Sequence, residues 1–166
     1  GVTVVAVIAD THLPRGARSL PHECLERLRA ADVILHAGDV VSAAFFQELE
    51  ALGPPVHGVR GNMDEGALRE TLPAERVVEA GGVRIGMLHD AGPRAGREGR
   101  LAARFPDCQA VVYGHTHVPQ VQRFQHLWIL NPGSPTERRR APGHSMIVLH
   151  VVQPTRLVPE LVALGP

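Results

Sequence analysis

Seven side chains of metal-ligand type close or follow short apolar, strand-like runs: Asp10, His12, Asp39, Asn62, His89, His115 and His117. VTVVAVIAD ends in Asp10, DVILHAGD in Asp39 and VHGVRGN in Asn62, while VRIGMLHD carries His89 and AVVYGHTH carries His115 and His117. Strand ends in an α/β protein open onto the crevice where ligands bind. Packing does not account for carboxylate, carboxamide and imidazole groups delivered by five separate strand ends. Oxygen and imidazole donors without a thiolate suit Mn, Fe or Zn. Seven donors are too many for one ion and about right for two.

Taken singly, the motifs differ in weight. Asp10-Thr11-His12 is expected to use extended backbone, in which residues i and i+2 point the same way; the bland alternative is a turn Asp beside a surface His. Gly38 would permit a tight turn or a close approach. Asp39 behind it reads either as a ligand able to reach two ions or as a helix N-cap ahead of Ser42. Asn62 is a turn former or a neutral ligand that keeps anionic charge low for an incoming phosphate. Gly114-His115-Thr116-His117 is the strongest local signal, because paired histidines straight after a buried strand are rarely packing residues. His89 alone would pass for a polar strand cap.

The elements that must deliver these residues alternate at first. Strands are expected at Val2–Ala9, Val33–His36 and Val56–Val59, the first as a run buried on both faces. Helices are expected at Pro21–Ala31 and from a Ser42 cap through Leu52, where Gly53-Pro54-Pro55 stops the chain. A Pro/Gly/Arg loop spans Leu13 to Ser19. This βαβαβ opening predicts a mainly parallel sheet with right-handed crossovers. The second half is strand-rich: Arg76–Ala80 and Val83–Leu88 around a Gly81-Gly82 hairpin turn, Ala110–Tyr113, a meander of Val118–Phe124 and Leu127–Leu130, and a closing hairpin of Ser145–Val152 and Arg156–Leu161. One further helix is expected at Arg97–Phe105. Two sheets packed face to face with helices outside follow from this order.

The chain has 166 residues, 44% of them hydrophobic, and a formal net charge of zero. One domain spanning residues 1–166 is the default at that length. Zero net charge supplies no global field for nucleic acid or an anionic membrane. Every basic residue is Arg and none is Lys, a compositional bias. Cys24 and Cys108 make no metal spacing and read as structural thiols in a reducing cytosol. No signal peptide is visible and no apolar stretch approaches the ~20 residues of a membrane span. The expectation is a cytoplasmic protein without a membrane partner.

The ordered set DxH, GD, GN, H, GHTH, together with VVYGHTH and the later Asn131-Pro132-Gly133-Ser134, resembles the calcineurin-like metallophosphoesterases, in particular the small single-domain bacterial and archaeal members. The resemblance runs from Val4 to Ser134. It implies an α/β fold, a four-layer αββα sandwich of two mixed β-sheets flanked by helices, with a dinuclear site at the sheet edge. By motif position Asp10, His12, Asp39 and His117 would hold the first ion, Asp39 would bridge, and Asn62, His89 and His115 would complete the second. The cofactors implied are two divalent ions, Mn first, with Fe, Zn, Ni or Co also used in the family. Ions about 3.5–4 Å apart share a water and lower its pKa. The implied reaction is hydrolysis of a small phosphodiester by the bridging hydroxide, with Asp39 and Asn62 as the catalytic ion-holding pair and no side-chain nucleophile. Ser134 and Cys108 lack a convincing base.

Two positions depart from the family pattern. Met63 stands where many members carry the His that protonates the leaving group, so no general acid is identified; a general acid contributes ~10²–10⁴-fold. His89-Asp90-Ala91 replaces a frequent HGH, and Asp90 or Asp64 would instead orient a ligand or fix a loop, the loop role being preferred for Asp64. Arg94, Arg97, Arg100 and Arg104 read as a solvated helix face, and Arg138-Arg139-Arg140 as an exposed loop. Arg60 is the arginine best placed for substrate phosphate or for a structural ion pair. His36 reads as packing at a strand end. His22, His57, His126, His144 and His150 form no constellation. The rival functions are a non-catalytic protein-binding scaffold, as in the eukaryotic retromer subunit built on this fold, and a nuclease. The absence of an aromatic-basic stripe argues against the nuclease. Assembly into a homo-oligomer is left open.

Overall fold

In the computed structural model, which describes residues 1–13, 19–153 and 156–166, strand β1 (Thr3–Ile8) is the central strand of a five-stranded sheet. It is apolar from Val4 on because both its faces are covered there. Val5 and Val7 face the second sheet, while Ala6 and Ile8 face helices, the alternation that a pleated strand imposes. Strand β1 pairs in parallel with β2 (Val33–His36), and β2 with β3 (Val56–Gly58). Helices α1 (His22–Ala30) and α2 (Ala43–Glu50) make the connections and cover the outer face with Cys24, Leu28, Phe45 and Leu49. Ser42 caps α2, its Oγ accepting from the Phe45 N–H at 3.1 Å, so Asp39 is not needed as the cap.

The second sheet has the order β4-β5-β6-β8-β7. It comprises β4 (Glu75–Ala80), β5 (Val83–Leu88), β6 (Ala110–Val112), β7 (Gln120–Phe124) and β8 (Leu127–Asn131). Strand β6 is parallel to both β5 and β8, while β4 and β7 pair antiparallel at the two edges. The chain closes with the hairpin β9 (His144–Gln153) and β10 (Arg156–Gly165), which adds antiparallel strands to the first sheet beside β1. Both sheets are therefore mixed.

Three apolar clusters define four layers. Val7, Leu35 and Leu149 of the first sheet meet Ile85, Met87, Val112 and Leu130 of the second. The outer face of the first sheet packs on α1 and α2 through Ile8, Ile34 and Met146. The outer face of the second packs Val111, Tyr113 and Ile129 on Leu101 and Phe105 from the region of helix α4 (Arg97–Arg104). The αββα sandwich expected from sequence is the observed architecture.

Sequence missed one helix, α3 (Gly66–Thr71), whose only buried residue is Leu68. A six-residue helix with one inward side chain leaves no periodic stripe to read. Strand β10 runs to Gly165 rather than stopping at Leu161. Residues 14–18 of the expected Leu13–Ser19 loop lie outside the described residues. Among the described residues no helix is long and apolar enough to cross a membrane.

Candidate metal centre

Loops leaving β1, β2 and β3 of one sheet and β5 and β6 of the other meet at one end of the sandwich. The Asp10-Thr11-His12 turn lies against the β2 loop, with the Asp10 N–H donating to Gly38 O at 2.9 Å and the His12 N–H to Asp39 O at 3.1 Å. The expected extended backbone is not what aims these residues. Asp10, His12, Asp39, His115 and His117 all have positive φ, between 49° and 73°. Non-glycine residues enter this left-handed region at a cost of order 1–3 kcal/mol each. The strain turns each side chain sharply inward as the strand ends, so the i, i+2 spacing works through a twisted turn rather than a pleat.

Two glycines make the approach of these loops feasible. A Cβ on Gly38, at φ +101°, would stand 2.4 Å from His89 Nδ1, and one on Gly61 would stand 2.2 Å from Asp39 Oδ1. The close-approach reading of Gly38 is met.

Asp10, His12 and His117 offer ligand atoms that lie within 4.8 Å of one another, and so do Asp10, Asp39 and His89. Asp39 Oδ2 stands between the two sets, 3.5 Å from His12 Nε2 and 3.2 Å from His89 Nε2. Asn62 Oδ1 lies 3.1 Å from His89 Nε2. The His115 ring meets the His89 ring edge-on at 5.2 Å, and His115 is the most exposed histidine of the group, at 44%. All seven sequence candidates thus come to the same end of the sandwich, with His115 beside the His89 ring but in neither set.

The hydrogen bonds behind the cluster fix which atoms face its centre. His89 Nδ1 donates to Ala37 O at 2.8 Å, and His117 Nδ1 donates to Glu137 O at 2.5 Å. Both rings therefore present Nε2 inward, the arrangement by which a backbone carbonyl sets the tautomer of a metal-binding histidine. Asp10 Oδ2 accepts from the His115 N–H at 2.9 Å. Asp10 Oδ1 and His117 Nε2 are buried without a hydrogen-bond partner, 3.7 Å apart. Orphaned buried acceptors are costly unless something satisfies them, and a divalent cation fits this oxygen-and-imidazole donor set.

The electrostatics have the same character. Burial pushes the Asp10 carboxyl up to about 7, with Asp39 adding to the rise against the pull of His89 and the His115 amide. Burial also opposes ionisation of Asp39, but the hydrogen bond and charge of His89, with the Met63 N–H, outweigh it and hold the carboxyl at about 2. Burial disfavours the His89 cation too, yet Asp39 and Asp10 raise it to about 9. Burial lowers His117. Protons on His89 and Asp10 occupy the place that a cation would take, so ion and protons compete for the same groups.

Supporting residues include one whose sequence reading was right but incomplete and one that sequence missed. His36, expected to pack at a strand end, bridges both loops: its Nδ1 accepts from Gly38 N–H at 3.2 Å and its Nε2 lies 3.0 Å from Thr11 Oγ1. Asp64 fixes its loop as preferred, accepting from Gly61 N–H at 2.6 Å and Val41 N–H at 2.7 Å. The NPGS segment is a clamp. Ser134 Oγ donates to Asp10 O at 2.8 Å and Thr136 Oγ1 donates to Thr11 O at 2.6 Å. This clamp brings Glu137, not singled out by sequence, to the cluster, with Oε2 3.9 Å from His12 Nε2. Its signal was only its place three residues after NPGS.

Other expectations are corrected. The α4 arginines are not a plain solvated face. Arg97 stacks on Tyr113 at 5.1 Å and donates to its hydroxyl at 3.0 Å, Arg100 donates to Ala91 O at 3.0 Å, and Arg104 pairs with Glu75 at 2.5 Å. They tie the 91–96 loop and β4 to the helix. Among the described residues Arg60 has no carboxylate partner; its guanidinium donates to Arg69 O at 3.4 Å. Arg138, Arg139 and Arg140 are exposed as expected. Met63 is 56% exposed and contributes its N–H to Asp39 Oδ1 at 2.9 Å. Asp90 accepts from Gly92 N–H and lies 4.0 Å from His115 Nε2.

Residues 4–153 match the model of the calcineurin-like phosphoesterase superfamily domain. A Methanothermobacter thermautotrophicus protein named a probable metallophosphoesterase is 35% identical over 147 residues, covering 87% of this chain and 84% of that protein. The solution structure of a Thermotoga maritima protein superposes with a TM-score of 0.74 at 32% identity, covering 98% of this chain and 99% of that one. Entamoeba histolytica Vps29 complexed with Zn²⁺ superposes with a TM-score of 0.73 at 25% identity, covering 98% and 100%. A metal-compatible cluster at the sheet ends and a family match over nearly the whole length lead to the same assignment: the chain belongs to the calcineurin-like phosphoesterase superfamily.

Proposed function

We propose that this metallophosphoesterase is a phosphodiesterase of small phosphodiester substrates that works with two divalent ions, Mn²⁺ first among them. One observation carries the reading: His89 and His117, from separate strand ends, are both locked through Nδ1 to backbone carbonyls and turn Nε2 towards Asp10 and Asp39. Asp10, His12, Asp39 and His117 would hold one ion and Asn62, His89 and His115 the other, with Asp39 shared. That the Vps29 relative is complexed with Zn²⁺ supports a divalent ion on this fold. Such a pair supplies Lewis-acid charge for a phosphoryl group and lowers the pKa of coordinated water.

The chain's own residues define the rest. Asn62 adds a donor oxygen without adding charge, which leaves the site less repulsive to an anionic ester. Met63 cannot donate a proton, so good leaving groups are favoured. Cys24 and Cys108 are buried as free thiols in opposite outer layers.

The test is hydrolysis of bis-p-nitrophenyl phosphate by Mn²⁺-loaded protein, its loss on chelation and its return with Mn²⁺. Asp39→Asn should lower the rate by about 10²-fold or more with circular dichroism unchanged. Normal turnover by that variant would remove the bridging role. Ion binding without hydrolysis of any phosphoester would favour the scaffold.

A further inference from the structure

Beside the His89 and His115 rings lies an open cavity of about 480 Å³ whose wall includes Asn62, Arg60, Arg69 and Arg104. That volume is in the range of small-molecule sites. The carboxylates in the same wall are engaged. Glu75 pairs with Arg104 at 2.5 Å, and Asp90 accepts from Gly92 and faces His115. Arg60 and Arg69 have no carboxylate within 4.0 Å among the described residues, and Arg60 Nη1 sits 3.4 Å from Arg69 O. Two arginines without a carboxylate partner therefore line a concave wall that also holds the Asn62–His89–His115 side of the metal centre.

The segment bearing them is anchored rather than free. The Arg60 N–H donates to Pro73 O at 2.9 Å, closing residues 60–73 into a loop around α3. Asp64 and the Glu65 N–H tie that loop to Val41. Arg60 immediately precedes the Gly61-Asn62 turn, and Arg69 comes from α3, so one fixed segment delivers both an ion-side oxygen and two cations to the same cavity. Guanidinium forks in one cavity wall suit the oxygens of a phosphate monoester, which they bind bidentately.

We infer that Arg60 and Arg69 form a second anion subsite, and that the preferred substrate is a small phosphodiester carrying a separate phosphate monoester. The inference rests on the phosphoesterase reading for its catalytic half and on the cavity alone for its binding half. Zero net charge favours a small bisphosphorylated ligand over a nucleic acid chain.

The test uses two probes that differ by one phosphate, thymidine 5′-(4-nitrophenyl phosphate) with and without a 3′-phosphate. The 3′-phosphorylated probe should show a KM about tenfold lower, and Arg69→Ala or Arg60→Ala should shrink that ratio to below about twofold. Arg69→Lys should restore part of it. Arg29→Ala, on α1, removes an equal charge away from the cavity and should leave the ratio as in the wild type. Calorimetry on Mn²⁺-loaded protein reads the subsite without turnover: thymidine 3′,5′-bisphosphate should bind about tenfold tighter than thymidine 5′-monophosphate, and Arg69→Ala should erase the difference. Hydrolysis of both probes with equal KM, or equal calorimetric affinities, would overturn the subsite and leave the phosphoesterase reading standing. Arg69-dependent binding of the bisphosphate with hydrolysis of neither probe would do the reverse. Tighter Arg69-dependent binding of a single-stranded oligothymidylate than of the bisphosphate would overturn the small-ligand form.

Discussion

His36 is the residue on which both ion-facing loops lean. Its Nδ1 accepts from Gly38, so the proton of the neutral ring sits on Nε2 and is donated to Thr11 Oγ1. Burial, with the nearby His89 charge, lowers its pKa to about 3. The sign of the linkage follows. The unfolded ring, with a pKa near 6.5, takes up a proton as pH falls, and the folded ring does not until far lower. Stability contributed by neutral His36 is complete above about pH 6.5 and declines as pH falls towards 3. His36→Gln keeps an Nε2 donor and removes the titration. The gap in unfolding free energy between wild type and His36→Gln, by urea titration in chelator, should shrink by about 2 kcal/mol from pH 7.5 to 5.0. Parallel pH profiles would show that His36 is not buried neutral. The sequence marked His36 only as packing at a strand end, which it does, because its partners, Thr11 and Gly38, are defined only once β1 and β2 pair.

Among elements, legibility followed the number of buried faces. Strands β2 and β5 have the bounds that the sequence predicted, β2 because a doubly covered strand reads as a continuous apolar run and β5 because the Gly81-Gly82 turn marks its start. Helix α3 escaped because Leu68 alone turns inward. The arginine row on α4 was misread for a related reason: helical spacing reports a face, not the Tyr113 ring and the 91–96 carbonyls that meet it. The ligand-bearing loops were legible as a list of donors but not as a geometry, since left-handed turns at Asp10, His12 and His117 have no composition signal in non-glycine residues. The β3–α3 connection provides a sharp comparison. Gly61→Ala would drive a Cβ onto Asp39 Oδ1 and N, so Mn²⁺ affinity by calorimetry should fall by about tenfold or more. Gly66→Ala meets nothing within 4 Å at the start of α3. It should bind Mn²⁺ as the wild type does and gain up to about 1 kcal/mol of stability. Unchanged Mn²⁺ affinity in Gly61→Ala would mean that Asp39 does not face an ion.

At the scale of the molecule the cluster lies on the seam between the two sheets. Asp10, His12, Asp39 and Asn62 follow strands of the first sheet, whereas His89, His115 and His117 follow strands of the second. The interior between the sheets is apolar, from Val7 to Leu130, so the polar contacts gathered at this end are where an ion would cross-link them. An ion that binds only the folded arrangement stabilises it by mass action, about 2.7 kcal/mol at a hundredfold excess over Kd. For a chain of this length each kcal/mol moves Tm by about 2–4 °C. Saturating Mn²⁺ should therefore raise Tm by about 5–10 °C over chelated protein. Asp10→Asn removes a ligand charge and His117→Ala a ligand atom at the seam, and each should lose most of that rise while folding in its absence. His117→Ala is the cleaner of the two, since Asp10→Asn also replaces the Oδ2 that accepts from the His115 N–H with an amide donor. A Tm that ignores Mn²⁺ in the wild type would mean that no ion bridges the sheets, whatever the enzyme assays report.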